Sequence, residues 1–157
     1  MTIPSLNVAS PDCAETFFAG RVPRCVPLHR ASSLSDLRAV LTTAAWPTGP
    51  VYLDLIGHST RGHHLLRIGH TPIDMLDRRV AVFFAGLATD GVLDRRDVVA
   101  VRLLGCQTAV TDPARRTLRM LSRTLGLPTY GTLVPLLKSH SDASGLSPRF
   151  AHVLASG

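Results

Sequence analysis

Two stretches of the chain are apolar without alternation: VYLDLIG at 51–57 and DVVAVRLLG at 97–105. Both are rich in β-branched residues and close on glycine, which predicts strands of a parallel sheet buried on both faces. Elsewhere the apolar spacing lengthens to a helical one. Leu34, Leu37, Val40 and Leu41 share a face that Ser33 or Ser35 can cap, so a helix is expected to end near Trp46-Pro47. Pro72-Ile73-Asp74 opens a second helix, running through Met75, Leu76, Val80, Phe83 and Leu87 to about Ala88. The third has Asp112 as cap, Pro113 at its first position, Leu118, Leu121 and Leu125 on one face, and Gly126 just past its end. LPTYGT (127–132) reads as a third strand. The polar stretch from His58 to His70 holds one short apolar piece, HLLRIG, suited to a hairpin arm. VPRCVPLHR (22–30) is a short strand that its prolines confine to an edge. Residues 1–20, with Pro4, Asn7, Ser10 and Pro11, show no sustained period and read as an irregular lead-in. Beyond Pro135 the pattern thins, and SHSDASGLSP reads as a loop before a short apolar tail. Strands and helices in alternation predict an α/β fold with a mainly parallel central sheet, residues 21–157 forming one domain.

Composition narrows the function classes. Of 157 residues 45% are hydrophobic and 18% charged, with a mean hydropathy of +0.20, which excludes a disordered or fibrous chain. The longest apolar runs fall far short of the roughly 18 residues of a membrane span. MTIPSLNVASPD lacks the basic start and apolar stretch of a secretory signal, so a soluble cytoplasmic protein is expected. The net charge is +6, but 16 of the 17 bases are arginines, with Lys138 the single lysine, and they are scattered in doublets beside acids. With aromatics at 5%, the continuous basic stripe and stacking platform of a nucleic-acid binder are missing. Cys13, Cys25 and Cys106 are an odd count without CxxC spacing, so neither disulfides nor structural zinc are expected. His58, His63, His64 and His70 include no pair at i, i+4 and no carboxylate among them, so no metal or cofactor is implied.

In a parallel sheet, catalytic groups collect just beyond the carboxyl ends of the strands. Two polar clusters fall there: His58-Ser59 after Gly57, and Cys106-Gln107-Thr108 after Gly105, with His58 and Cys106 48 residues apart. Adjacent parallel strands would bring the two side chains to one rim. A cysteine ahead of a helix N-terminus and facing an imidazole is stabilised as thiolate. Base and thiolate together are the parts for acyl transfer on a peptide. The competing reading is a half-buried cysteine packing as a small hydrophobe beside an unrelated loop histidine. Asp54 or Asp74 can orient His58, and Asp54 is equally placed to pair with a neighbouring arginine. GHSTRG is similar to the G-x-S-x-G nucleophile elbow, but its second glycine comes one place late and HHLLRIGH does not read as the helix an elbow needs. Trp46, Phe83 and Phe84 fit core packing.

LDLIGHS followed by VRLLGCQTA resembles the caspase-like fold of cysteine peptidases, in particular its bacterial branch with CHAT domains. There a histidine motif ends one strand and Cys-x-Thr-Ala the next. The following helix and LPTYGT extend the likeness over roughly residues 50–135. The resemblance implies a three-layer sandwich, a mainly parallel central sheet flanked by helices. It further implies His58 as general base, Cys106 as nucleophile, the backbone N–H groups of Ser59 and Cys106 as oxyanion hole, and a protein or peptide substrate. Two departures stand out. Ser59 replaces the glycine that usually follows the histidine. Leu104-Gly105 replaces the acid that metacaspase-like members carry before the cysteine, so cleavage specificity is not implied. The short C-terminal part leaves a substrate pocket incomplete or completed by a partner. The alternative function is a catalytically inactive caspase-like module that binds or regulates a partner protein.

Overall fold

The buried runs become the centre of the sheet. The structure, a computed structural model, describes residues 3–13, 28–136, 140–142 and 145–157. In chain order the elements are β1 (Ser5–Ala9), the single turn α1 (Pro11–Cys13), β2 (Leu28–Arg30), α2 (Leu34–Thr43), β3 (Val51–Ile56), β4 (Arg67–Ile68) and β5 (Thr71–Pro72). They continue with α3 (Arg78–Thr89), β6 (Val98–Leu104), α4 (Asp112–Leu125), β7 (Thr129–Thr132), β8 (Ser141–Asp142) and β9 (Gly145–Leu146). A 3-10 segment (Pro148–Val153) and β10 (Leu154–Ser156) complete them. Six strands form one sheet in the order β10-β7-β6-β3-β1-β2, parallel throughout except for the antiparallel β10–β7 edge.

The expected α/β class with a mainly parallel sheet is what the structure shows. Leu6, Val8, Leu53, Leu55, Val101 and Leu103 point to one face. There they meet Leu37 and Leu41 of α2, Val80, Phe84 and Leu87 of α3, and Leu118 and Leu121 of α4, with α3 packed between the other two helices. The opposite face carries Ala9, Ile56 and Leu104 under Cys13, Leu136 and Leu146. This arrangement is compatible with a three-layer sandwich. Among the described residues no helix is long and apolar enough to cross a membrane.

Several boundaries differ from the sequence reading. Residues 5–9 are not part of an irregular lead-in. They form β1, buried at every position and hydrogen-bonded between β2 and β3. Its polar Ser5 is used by Arg102, whose Nη2 donates to Ser5 Oγ at 3.0 Å. The edge strand is confined to Leu28–Arg30, while 22–27 and Cys25 lie outside the described residues. The second helix begins at Arg78, not at Pro72. Pro72 pairs in the β4–β5 hairpin, Asp74 Oδ1 accepts from Leu76 N at 3.0 Å to form a turn, and Asp77 caps the helix by accepting from Arg79 N at 2.9 Å. The cap of α4 is Thr111, which accepts from Ala114 N at 3.1 Å, with Asp112 inside the first turn. Ser33 and Gly126 terminate their helices as expected, Gly126 at φ +67°.

Candidate functional site

The carboxyl ends of β1, β3 and β6 converge on one edge of the sheet. Ala9 pairs with Ile56 and Ile56 with Leu104, so the residues that follow leave the sheet side by side. His58 and Cys106 each stand two positions beyond a register-matched pair, and both are half-buried. The glycines that precede them are required by close approach. A Cβ on Gly57 would lie 2.3 Å from the Arg67 carbonyl oxygen. On Gly105 it would lie 2.9 Å from both the Gly57 carbonyl oxygen and Ser59 Oγ. No side chain fits between these strand ends.

Ser59 ties the two ends together. Its hydroxyl accepts from the Cys106 backbone N–H at 2.9 Å and donates to the Cys106 carbonyl at 2.8 Å. The Cys106 N–H, expected in an oxyanion hole, is therefore engaged by a side chain. The Ser59 N–H is placed differently. Ser59 bridges to Leu66 through Thr60 N to Leu65 O (2.8 Å) and Arg67 N to His58 O (2.9 Å), so its own N–H points away from Leu66. Ser59 leads into a turn and the β4–β5 hairpin rather than a helix, which is not an elbow geometry.

Beyond Cys106 the chain turns sharply. Gln107 sits at φ +58°, a left-handed conformation that costs a non-glycine residue about 1 kcal/mol or more. Two threonines hold the turn. Thr108 Oγ1 donates to Leu103 O at 2.6 Å and accepts from Thr132 N at 2.9 Å, while Thr132 Oγ1 donates to Gly105 O at 2.7 Å. Both are buried. In this chain the threonine of Cys-x-Thr-Ala is a lock between the cysteine turn and β7.

Asp54 does not orient His58. Both its oxygens accept from Arg102, at 2.6 Å from Nε and 2.7 Å from Nη2, on the sheet face beneath Tyr52, where the guanidinium lies 4.1 Å from the ring centroid. Asp54 and Arg102 are register partners on neighbouring strands, so the arginine alternative is the one observed. Asp74, spent on its own turn, is not an orienter either.

The acid at this edge is Asp12, which the sequence reading passed over. Its Oδ1 accepts from Ser10 Oγ at 2.7 Å and from Cys13 N at 3.0 Å, and Oδ2 lies 3.7 Å from Arg67 Nη2. Partial burial works against ionisation of Asp12. The Ser10 hydroxyl, the His58 imidazole, the Cys13 amide and Arg67 outweigh it and hold the carboxyl below the ordinary range. Beside it the Cys13 thiol is buried. Burial first, then the charges of Asp12 and Cys106, push that thiol up to about 12, so Cys13 is an inert thiol near a half-buried one. The signal for this corner was Ser10-Pro11-Asp12 itself, visible only once residues 5–9 are known to be a strand.

His63, His64 and His70 lie in the loop and hairpin after β3. Among the described residues no group of three or more histidines, cysteines or carboxylates is arranged to hold a metal ion. No family model, no curated protein and no solved structure matches this chain.

Proposed function

We propose that this chain is a cysteine endopeptidase of caspase-like, CHAT-related type, acting on a protein or peptide substrate through His58 and Cys106 in the cytoplasm. The observation that carries the reading is the register of β3 and β6, which delivers Gly57-His58 and Gly105-Cys106 as neighbours at the carboxyl edge of a parallel sheet. His58 takes the Cys106 thiol proton, and the thiolate adds to the scissile carbonyl. The imidazolium then gives its proton to the leaving amine, and a water activated by His58 releases the acyl group. The Ser59 N–H is one donor for the oxyanion. The Cys106 N–H becomes the second when the oxyanion displaces Ser59 Oγ. No cofactor takes part.

One observation favours a second reading. The Ser59 hydroxyl occupies the Cys106 N–H, which suits a catalytically inactive caspase-like module that binds or regulates a partner protein. The test is incubation with a protein-derived peptide library, new amino termini being read by mass spectrometry for the wild type and for Cys106→Ala. New termini that vanish with Cys106 support the peptidase. Identical profiles leave the interaction module.

A further inference from the structure

We infer that the sheet face opposite the three helices carries a small-molecule site, built on Arg102, Tyr52 and Tyr130, for a planar, uncharged compound with a carbonyl oxygen. The site is separate from His58 and Cys106, neither of which lines it.

Register assembles it. Asp54, Arg102 and Tyr130 are partners across β3, β6 and β7, and Tyr52 precedes Asp54 by two positions, so all four side chains leave the same face. Leu53, Leu55, Val101 and Leu103, of the opposite parity, hold the helices on the other face. A cavity of about 340 Å³ opens on the first face, walled by Tyr52, Arg102, Tyr130, Pro128, Ala151 and Leu154. Apolar walls with a few polar groups are the usual make-up of a ligand pocket, and this volume lies at the small end of their range.

Arg102 is the group that points to a ligand. Its side chain is only 10% exposed. Nε and Nη2 donate to Asp54 at 2.6 and 2.7 Å, and Nη2 also donates to Ser5 Oγ at 3.0 Å. Those bonds spend the guanidinium edge that faces β3 and β1. Nη1 stands on the opposite edge of the plane and forms no hydrogen bond with a described residue. Its two N–H groups are the unused donors of a buried cation that lines a cavity. Leaving such donors without an acceptor is costly, so an oxygen set against Nη1 gains more than at an open surface. Tyr52 and Tyr130 line the same cavity, and neither hydroxyl hydrogen bonds to a described residue.

The same contacts set the ligand's charge and shape. The fully buried Asp54 carboxylate already offsets the Arg102 charge. A carboxylate against Nη1 would stand near Asp54 with no second cation in the cavity wall to balance it. A carbonyl oxygen takes the donors without that repulsion. The guanidinium lies over the Tyr52 ring, 4.1 Å from its centroid, and Tyr130, Pro128 and Leu154 add flat apolar surface, which suits an aromatic body.

The test is a titration of the full chain with benzamide and, in parallel, with benzoate, followed by backbone amide NMR. Benzamide is expected to give saturating shifts at Tyr52, Arg102 and Tyr130 in the millimolar range proper to so small a molecule. Benzoate should bind at least about threefold more weakly. Asp54→Leu/Arg102→Met removes the donors without stranding a buried charge, and should weaken benzamide about tenfold or more. Ala151→Trp, at the exposed rim of the cavity, should block binding by bulk. If the double variant does not fold, Ala151→Trp decides. Benzamide shifts that do not saturate, that fall elsewhere, or that survive in these variants overturn the site. Benzoate binding as tightly as benzamide overturns the assigned ligand class.

Discussion

Ser59→Ala removes a side chain that bridges the two strand ends. Its hydroxyl makes two bonds to the Cys106 backbone, 2.9 Å to the N–H and 2.8 Å to the carbonyl. Each such bond is worth about 1 kcal/mol net. Both lie where water can partly replace them, so the loss is about 1.5–2 kcal/mol. In a chain of 157 residues that corresponds to a fall in Tm of about 3–8 °C, read by scanning calorimetry. Ser59→Gly loses about 0.5–1 kcal/mol more through backbone entropy. Yet both variants release the Cys106 N–H. An oxyanion that no longer has to displace a hydroxyl gains about 1 kcal/mol, or about fivefold in the rate of peptide cleavage. Stability and activity therefore move in opposite directions. A Tm unchanged in Ser59→Ala would refute the bridge, and a cleavage rate that falls in step with stability would refute the displacement step.

Gly57→Ala places a Cβ 2.3 Å from the Arg67 carbonyl oxygen and is expected to cost about 2–3 kcal/mol, read as a lower urea midpoint at unchanged slope. Arg102→Met leaves a buried Asp54 carboxylate alone and should cost about 3–5 kcal/mol, most of it recovered in Asp54→Leu/Arg102→Met; an additive double-mutant cycle would count against the pair. Asp12, Asp36 and Asp77 are all depressed below 3.8 in the folded chain, so the stability they contribute is present above that value and is lost as the pH falls through it. Urea midpoints should drop below about pH 4, less steeply in Asp36→Asn and Asp77→Asn. Cys13 has the opposite sign. Its thiol is raised from 9.0 to about 12, so stability present below pH 9.0 is lost as the pH rises beyond it, and Cys13→Ala should flatten that alkaline limb.

The centre of the sheet was legible because β3 and β6 are continuous apolar runs, a pattern that a parallel strand covered on both faces imposes. The glycines closing them were legible as punctuation. Their reason, a gap too narrow for a methyl group, is a long-range contact that no local pattern carries. β1 was lost because five residues containing Ser5 and Asn7 between Pro4 and Pro11 have no period of their own. It is a strand because β2 and β3 pair with it from both sides. With it went Asp12 and Cys13. Asp54 illustrates the same limit. Four residues before His58 it is a plausible orienter, and only the register opposite Arg102 assigns it elsewhere. The start of α3 was misplaced for a local reason, since Asp74 and Asp77 are both acceptable caps and hairpin pairing of Pro72 selects the later one.

The pairing of His58 with Cys106 is tested most directly by the pH dependence of Cys106 alkylation with iodoacetamide, with Cys13→Ala and Cys25→Ser leaving a single thiol. A working pair gives rapid reaction near pH 6 and a fall of about tenfold or more in His58→Ala. Reaction only above about pH 8.5, unchanged by loss of His58, would make Cys106 an ordinary thiol and contradict the catalytic assignment.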